Sequence, residues 1–206
     1  FEQAVTLVNN PDKLVPLRGK SPAKRLHLGV GDPTAVEFYN ALSIYTVAEH
    51  RYLPMKYDTV AINKLAAELG QFDEVVVSWH LATQRAGQKF GIDSLTVAGI
   101  KTLLQGKTSV QVVFGNAYSL PQFNFGNALV CGYEEHPWAW KTTAQLLFGV
   151  LPFKGKLPVS VSPGLPVGTG LQTSAGFDLR LIDPGHLGLT PRDFRRIDSI
   201  ANNALL

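Results

Sequence analysis

A chain of 206 residues with 45% hydrophobic and 17% charged side chains has the composition of a folded globular protein, and its formal net charge of +3 comes from scattered lysines and arginines. Nowhere do roughly 18 apolar residues run together, so no membrane span is expected in this chain, and no basic run interleaved with aromatics marks a nucleic-acid partner. The lone Cys131 leaves no internal disulfide, and the start at Phe1-Glu2-Gln3, without a methionine, predicts an excised or processed piece and no signal peptide.

Along the chain, short apolar runs alternate with segments of helical period. The runs Ala4–Asn9, Arg25–Val30, Thr46–Tyr52, Glu74–Trp79, Ser109–Phe114 and Asn127–Gly132 are predicted strands, several of them near-continuously apolar, as strands covered on both faces must be. Between them, Thr34–Tyr45, Asp58–Leu69, Asp93–Leu104 and Pro137–Phe148 carry apolar residues at helical spacing. Asp93 suits an N-cap and Pro137 a first helical turn. This alternation predicts an α/β fold: a doubly wound, mostly parallel six-stranded sheet with helices on both faces.

The rhythm stops near Gly149. Residues 152–190 are rich in proline and glycine and predict ordered loop, an edge strand at Leu157–Val161, and a linker over 172–189. Thr190-Pro191-Arg192-Asp193 then makes a helix start, with a Thr cap, Pro at the first position and an acid three residues after the cap. Phe194, Ile197, Ile200, Ala201 and Ala204 form one apolar stripe on that helix, which predicts a missing partner. The expected layout is therefore an α/β domain over 1–171, the linker, and over 190–206 the first helix of a truncated following domain.

Gly115-Asn116-Ala117-Tyr118, after the fifth strand, resembles the Gly-Asn-Pro-Tyr turn of the C-terminal domain of family 3 glycoside hydrolases, with Ala117 in place of Pro. Tyr133-Glu134, the run Ala144–Gly149 and Gly155–Val161 resemble that family's closing signature, and Val5–Asn10 with Leu14–Leu17 its opening strand and turn. These matches fall in family order over residues 4–171. The final piece, from Gly188 to Ile200, is similar to the first helix of serine β-lactamase-like domains. The resemblance implies the middle of a bacterial, periplasmic or extracellular, β-N-acetylglucosaminidase-type enzyme. Its partners would be a carbohydrate substrate, an N-terminal (β/α)8 barrel and a C-terminal serine hydrolase domain of the same polypeptide. It also implies that the catalytic nucleophile, an Asp, and a His–Asp acid/base pair lie in that barrel. No catalytic residue is therefore expected in this chain. The alternative is a stand-alone module binding carbohydrate or peptidoglycan fragments.

In an open parallel sheet, ligands favour the carboxyl ends of the strands. That principle nominates Asp32, Trp79, His80, Asn116, Tyr118 and Glu134 as substrate-binding candidates. Trp79 and Tyr118 could stack on a sugar face, and His80 or Asn116 could bond hydroxyls; equally, Trp79 could be core, His80 a loop-capping residue and Asn116 a turn former. Glu134 and Glu135 could instead be a solvated helix N-terminus. Three other motifs lead nowhere. Ser21-Pro22-Ala23-Lys24 matches a Ser-x-x-Lys string but sits in a predicted turn rather than a helix. Gly29-Val30-Gly31 is half a dinucleotide fingerprint, cut short by Pro33, so no cofactor is expected. The five histidines are dispersed, which predicts no zinc site, and His27 reads as a satisfied core residue.

Overall fold

In the computed structural model, residues 1–18 and 23–175 are described, with 190, 192–195 and 199 besides. Six strands form one sheet: β1 (Thr6–Asn9), β2 (Arg25–Gly31), β3 (Glu49–Pro54), β4 (Glu74–His80), β5 (Thr108–Phe114) and β6 (Ala128–Cys131). Their order is β1-β6-β5-β4-β2-β3. All neighbours are parallel except β1, which runs antiparallel to β6 at the edge. Four helices, α1 (Ala35–Ser43), α2 (Thr59–Leu69), α3 (Ser94–Leu103) and α4 (Pro137–Leu147), join them, with short 3₁₀ turns at Ala86–Gly91 and Ala117–Phe123. This is the fold class expected from the alternating pattern.

Three of the four helices start at a residue whose side chain caps the first turn. Asp58 accepts from Ala61 N–H at 2.7 Å and Asp93 from Thr96 N–H at 2.9 Å, which satisfies donors that the first turn leaves free. At α4 the cap is His136, whose Nδ1 accepts from Trp138 N–H, ahead of Pro137. The period-two alternation of the strands sends residues to two different cores. Leu26, Leu28, Val30, Val75, Val77, Trp79 and Leu129 meet Leu65, Leu69, Val97 and Ile100 of α2 and α3. On the other face, Val76, Val112, Phe114 and Val130 meet Phe38 and Leu42 of α1 and Ala139, Trp140 and Leu147 of α4. Each Val, Leu, Ile or Phe side chain fully buried in these cores contributes about 1.5–3 kcal/mol.

At the amino ends of β2 and β4, Arg25 is buried against Glu74, the Thr46 hydroxyl and the Arg18 carbonyl, with its guanidinium over the Phe148 ring. A charge there is tolerable because every side of it is paired.

Two expectations are corrected. Leu157–Val161 does not form an edge strand: Leu157 N–H donates to the Thr169 carbonyl and its own carbonyl accepts from Gly168 N–H, both at 2.8 Å. Pro158, Pro163 and Pro166 withhold the donors a ladder needs, so this stretch folds on itself. Leu171 alone meets the sheet edge, donating to the Leu7 carbonyl at 2.8 Å. The third strand, predicted as Thr46–Tyr52, runs instead over Glu49–Pro54. Ser21 and Pro22, most of the predicted linker and most of the terminal helix lie outside the described residues. Around the latter, the Thr190 N–H and hydroxyl both donate to the Asp193 carboxylate, at 2.7 and 2.9 Å. No helix among the described residues is long and apolar enough to cross a membrane.

Candidate functional site at the strand ends

Parallel pairing brings the carboxyl ends of β2, β4, β5 and β6 to one edge, so the loops that follow them converge. Gly31 makes the first turn possible: its φ is +111°, and any Cβ there would run into the His80 carbonyl. Asp32 N–H consequently donates to that carbonyl at 3.3 Å. Asp32 itself is exposed, and its carboxylate accepts from Thr34 N–H at 2.9 Å, which holds it below the usual carboxylate range. An ionised carboxylate at the start of α1 repels a phosphate, in keeping with the broken dinucleotide motif.

Between the ends of β5 and β6 lies a cleft of about 600 Å³, lined by Gln84, Asn116, Tyr118, Glu134, Glu135 and Val159 among others. Asn116 is half-buried and committed to the turn: its Oδ1 accepts from Tyr118 N–H at 3.0 Å and its Nδ2 donates to the Gln84 carbonyl at 3.3 Å. Tyr118 is 51% exposed and offers a ring beside the cleft. Tyr133 takes a left-handed φ of +67°, an unfavourable conformation for a tyrosine. Its hydroxyl, 2.9 Å from Thr6 Oγ1, anchors it, and burial pushes its phenol up to about 12. Immediately after that kink come Glu134, exposed to solvent, and Glu135, half-buried.

Glu135 connects the cleft to the interior. Its Oε2 accepts from Trp140 Nε1 at 3.2 Å and lies 2.8 Å from His80 Nδ1. Its Oε1 is buried and accepts no hydrogen bond, a costly state for a carboxylate oxygen and one that an incoming donor would relieve. His80 is wholly buried; its Nε2 sits 2.9 Å from Ser78 Oγ, which in turn is 2.8 Å from His27 Nε2. His27 Nδ1 lies 2.9 Å from His50 Nδ1 on the edge strand β3. Burial lowers the His27 base well below its ordinary value, with the neighbouring charges of His50 and His80 adding to it. His50 is lowered too, first by burial, with the main chain of His27 opposing and Arg51 and His80 reinforcing.

The six nominated residues thus part company. Asn116, Tyr118 and Glu134 share the cleft. Trp79 is core: it has no exposed surface, its indole donates to Gln111 Oε1 at 2.9 Å and its ring packs on Phe123, so it presents no face to a sugar. His80, equally buried, reaches the cleft only through Glu135, and Asp32 stands apart from the lining residues. Sequence reasoning missed Ser78, His27 and His50 as a set. The available signal was Ser78 and His80, two polar residues spaced by two in an otherwise apolar strand. Among the described residues, no three His, Cys, Asp or Glu side chains converge as metal ligands. A second cleft, of about 470 Å³, lies beyond the amino end of β5, and its Lys107 is already held by the Phe72 carbonyl at 3.0 Å.

This arrangement of sheet, helices and strand-end loops has solved counterparts. A fungal multi-domain family 3 β-N-acetylglucosaminidase bearing a GCN5-related glucosamine N-acetyltransferase region matches 79% of the chain at 20% identity and a TM-score of 0.63. A family 3 β-N-acetylglucosaminidase from Paenibacillus matches 77% at 16% identity and 0.60. A β-glucosidase from Listeria innocua, solved with isofagomine, matches 76% at 18% identity and 0.57. The fold is one found within family 3 glycoside hydrolases. The chain spans only 18%, 30% and 25% of those three proteins. No family model matches the sequence, and no curated protein is detectably similar to it.

Proposed function

We propose that the chain is the second domain of a family 3 glycoside hydrolase of β-N-acetylglucosaminidase type, where it forms one wall of the substrate cleft. The observation that carries this reading is the shared fold, matched over 76–79% of the chain and yet only 18–30% of each enzyme. A helper domain needs just such a strand-end opening. Asn116 shapes its turn, Tyr118 offers a ring for a sugar face, and Glu134 is a solvated acceptor for hydroxyls. The hydrolytic carboxylates, which must flank the scissile bond as a pair, belong on this reading to a barrel outside the chain. Residues 190–206 then begin the following, β-lactamase-like domain, a reading supported by the Thr190–Asp193 cap.

Incubating the 206-residue chain with an aryl β-N-acetylglucosaminide tests this directly. No turnover is expected. Turnover that disappears in Glu134→Gln or Glu135→Gln would overturn the helper role. The exposed Tyr118 also favours the second reading, a carbohydrate-binding module acting alone. On that reading, titration with N-acetylglucosamine oligomers gives saturable binding that Tyr118→Ala abolishes; the helper reading expects none at millimolar ligand without the barrel.

A further inference from the structure

Five side chains, of which only His80 belongs to the nominated set, form an unbroken hydrogen-bonded series from the cleft to the far edge of the sheet: Glu135, His80, Ser78, His27 and His50. Every link is 2.8 or 2.9 Å, within hydrogen-bond distance. The three central members have no exposed surface, while the two ends, Glu135 and His50, are half-buried. A buried polar series of this length is expensive compared with apolar packing, and the opposite face of the same strands shows that apolar packing was available.

The donors and acceptors can all be satisfied in one direction. With Glu135 ionised, His50 Nδ1–H donates to His27 Nδ1, His27 Nε2–H to Ser78 Oγ, Ser78 Oγ–H to His80 Nε2, and His80 Nδ1–H to Glu135 Oε2. His50 Nε2 is left without a hydrogen-bond partner among the described residues. We propose that this series is a proton-transfer chain that joins solvent at His50 to the Glu135 carboxyl in the cleft, making Glu135 a proton donor and acceptor site there.

The transfer balances. A proton from water binds His50 Nε2, and His50 releases its Nδ1 proton to His27 Nδ1. His27 passes its Nε2 proton to Ser78 Oγ, whose own proton goes to His80 Nε2. His80, now carrying two, hands its Nδ1 proton to Glu135 Oε2. One proton has moved from solvent to the carboxyl, and each imidazole is neutral in its other tautomer. Burial favours the neutral imidazole, so His27 transmits a proton without retaining it. The groups that bear on the chain are few. From α1, Tyr39 stacks on both His27 and His50 and gives its hydroxyl to the Ala48 carbonyl. From β3, Arg51 is paired with Glu49 and Glu68. Beyond β2 stands Asp32, which feels the charge of His80. From the α4 side, Trp140 donates to Glu135.

Nitrogen-detected magnetic resonance of the chain carrying isotope-labelled histidine tests the proposal across an acid titration. Expected is a switch of His27 from the Nε2–H to the Nδ1–H tautomer, in step with protonation of the His80–Glu135 pair. In Ser78→Ala that coupling should vanish, leaving His80 and Glu135 to titrate without His27. A His27 that keeps one tautomer throughout, or a switch that persists in Ser78→Ala, would overturn the chain. Should Ser78→Ala not fold, His50→Phe keeps the test alive: it should slow solvent exchange of the His80 ring proton by about ten-fold, and an unchanged rate would sink the proposal. None of these readouts depends on sugar binding, so the domain assignment can fail separately.

Discussion

The two faces of the sheet are made by the same strands and differ in kind. Toward α2 and α3, the strands contribute Leu26, Leu28, Val30, Val75, Val77 and Trp79, and the indole of Trp79 finds its partner in Gln111 within the layer. Toward α1 and α4, alternate positions of β2 and β4 contribute Arg25, His27, Ser78 and His80, all buried. The first face is held by area removed from water, a non-directional term that tolerates exchange of one apolar group for another of similar volume. The second adds to such packing, by Val76, Val112, Phe114 and Val130, a line of polar side chains held by partners, in which losing one strands the next. The contrast teaches where stability and chemistry reside in this sheet: the strand-end cleft receives its one interior-connected carboxylate, Glu135, from the polar side.

The largest effect that sharpens this comparison is expected on the apolar face. Trp79→Ala removes the largest fully buried side chain and should cost about 3–5 kcal/mol in urea unfolding. A cost under about 1 kcal/mol would break the comparison by showing that face to be dispensable. Next comes Ser78→Ala, which leaves nitrogens of His27 and His80 facing each other across a gap. It should cost about 1–3 kcal/mol, and the same substitution should cost less in a protein already carrying His27→Phe, where only the His80 nitrogen is left to be stranded.

The pH dependence of stability follows from the lowered bases. In the unfolded chain His27 and His50 take up protons near their ordinary value of 6.5, whereas in the folded protein both do so only at lower pH. The unfolded state therefore binds more protons below that value, and stability, complete above it, should fall as the pH drops through 6.5 toward the folded values. Denaturation midpoints measured on both sides of that pH, for the native chain and for His27→Gln, should show a shallower fall in the variant. Tyr118→Ala should have the smallest effect on stability, within about 0.5 kcal/mol. Its influence belongs to ligand binding in the cleft, and a marked drop in thermal midpoint would move Tyr118 from the cleft to the core.

Much of the fold was legible because it rests on local signals. Asp58 and Asp93 cap the helices that their positions announced, and Pro137 opens α4. Apolar runs such as Val75–Val77 within Glu74–His80 declare burial on both faces. Legibility faded where partners are distant in sequence. Trp79 and His80 are adjacent residues at a strand end, and only the strand alternation, once the helices are in place, sends one to each face. His27 and Ser78 are separated by 51 positions, and His80 and Glu135 by 55.

The sequence by itself determined the α/β class, the number of strands, the positions of four helices and the strand-end location of Asn116, Tyr118 and Glu134. Periodicity and capping act over a few residues, and the chain carries them in plain order. The tertiary structure alone decided that Trp79 is core, that Leu157–Val161 folds on itself, and that three dispersed histidines stand in one hydrogen-bonded line. Strand order and register bring those side chains within 3 Å of their partners, and neither is written in any short stretch of sequence, because each depends on how all six strands pair at once.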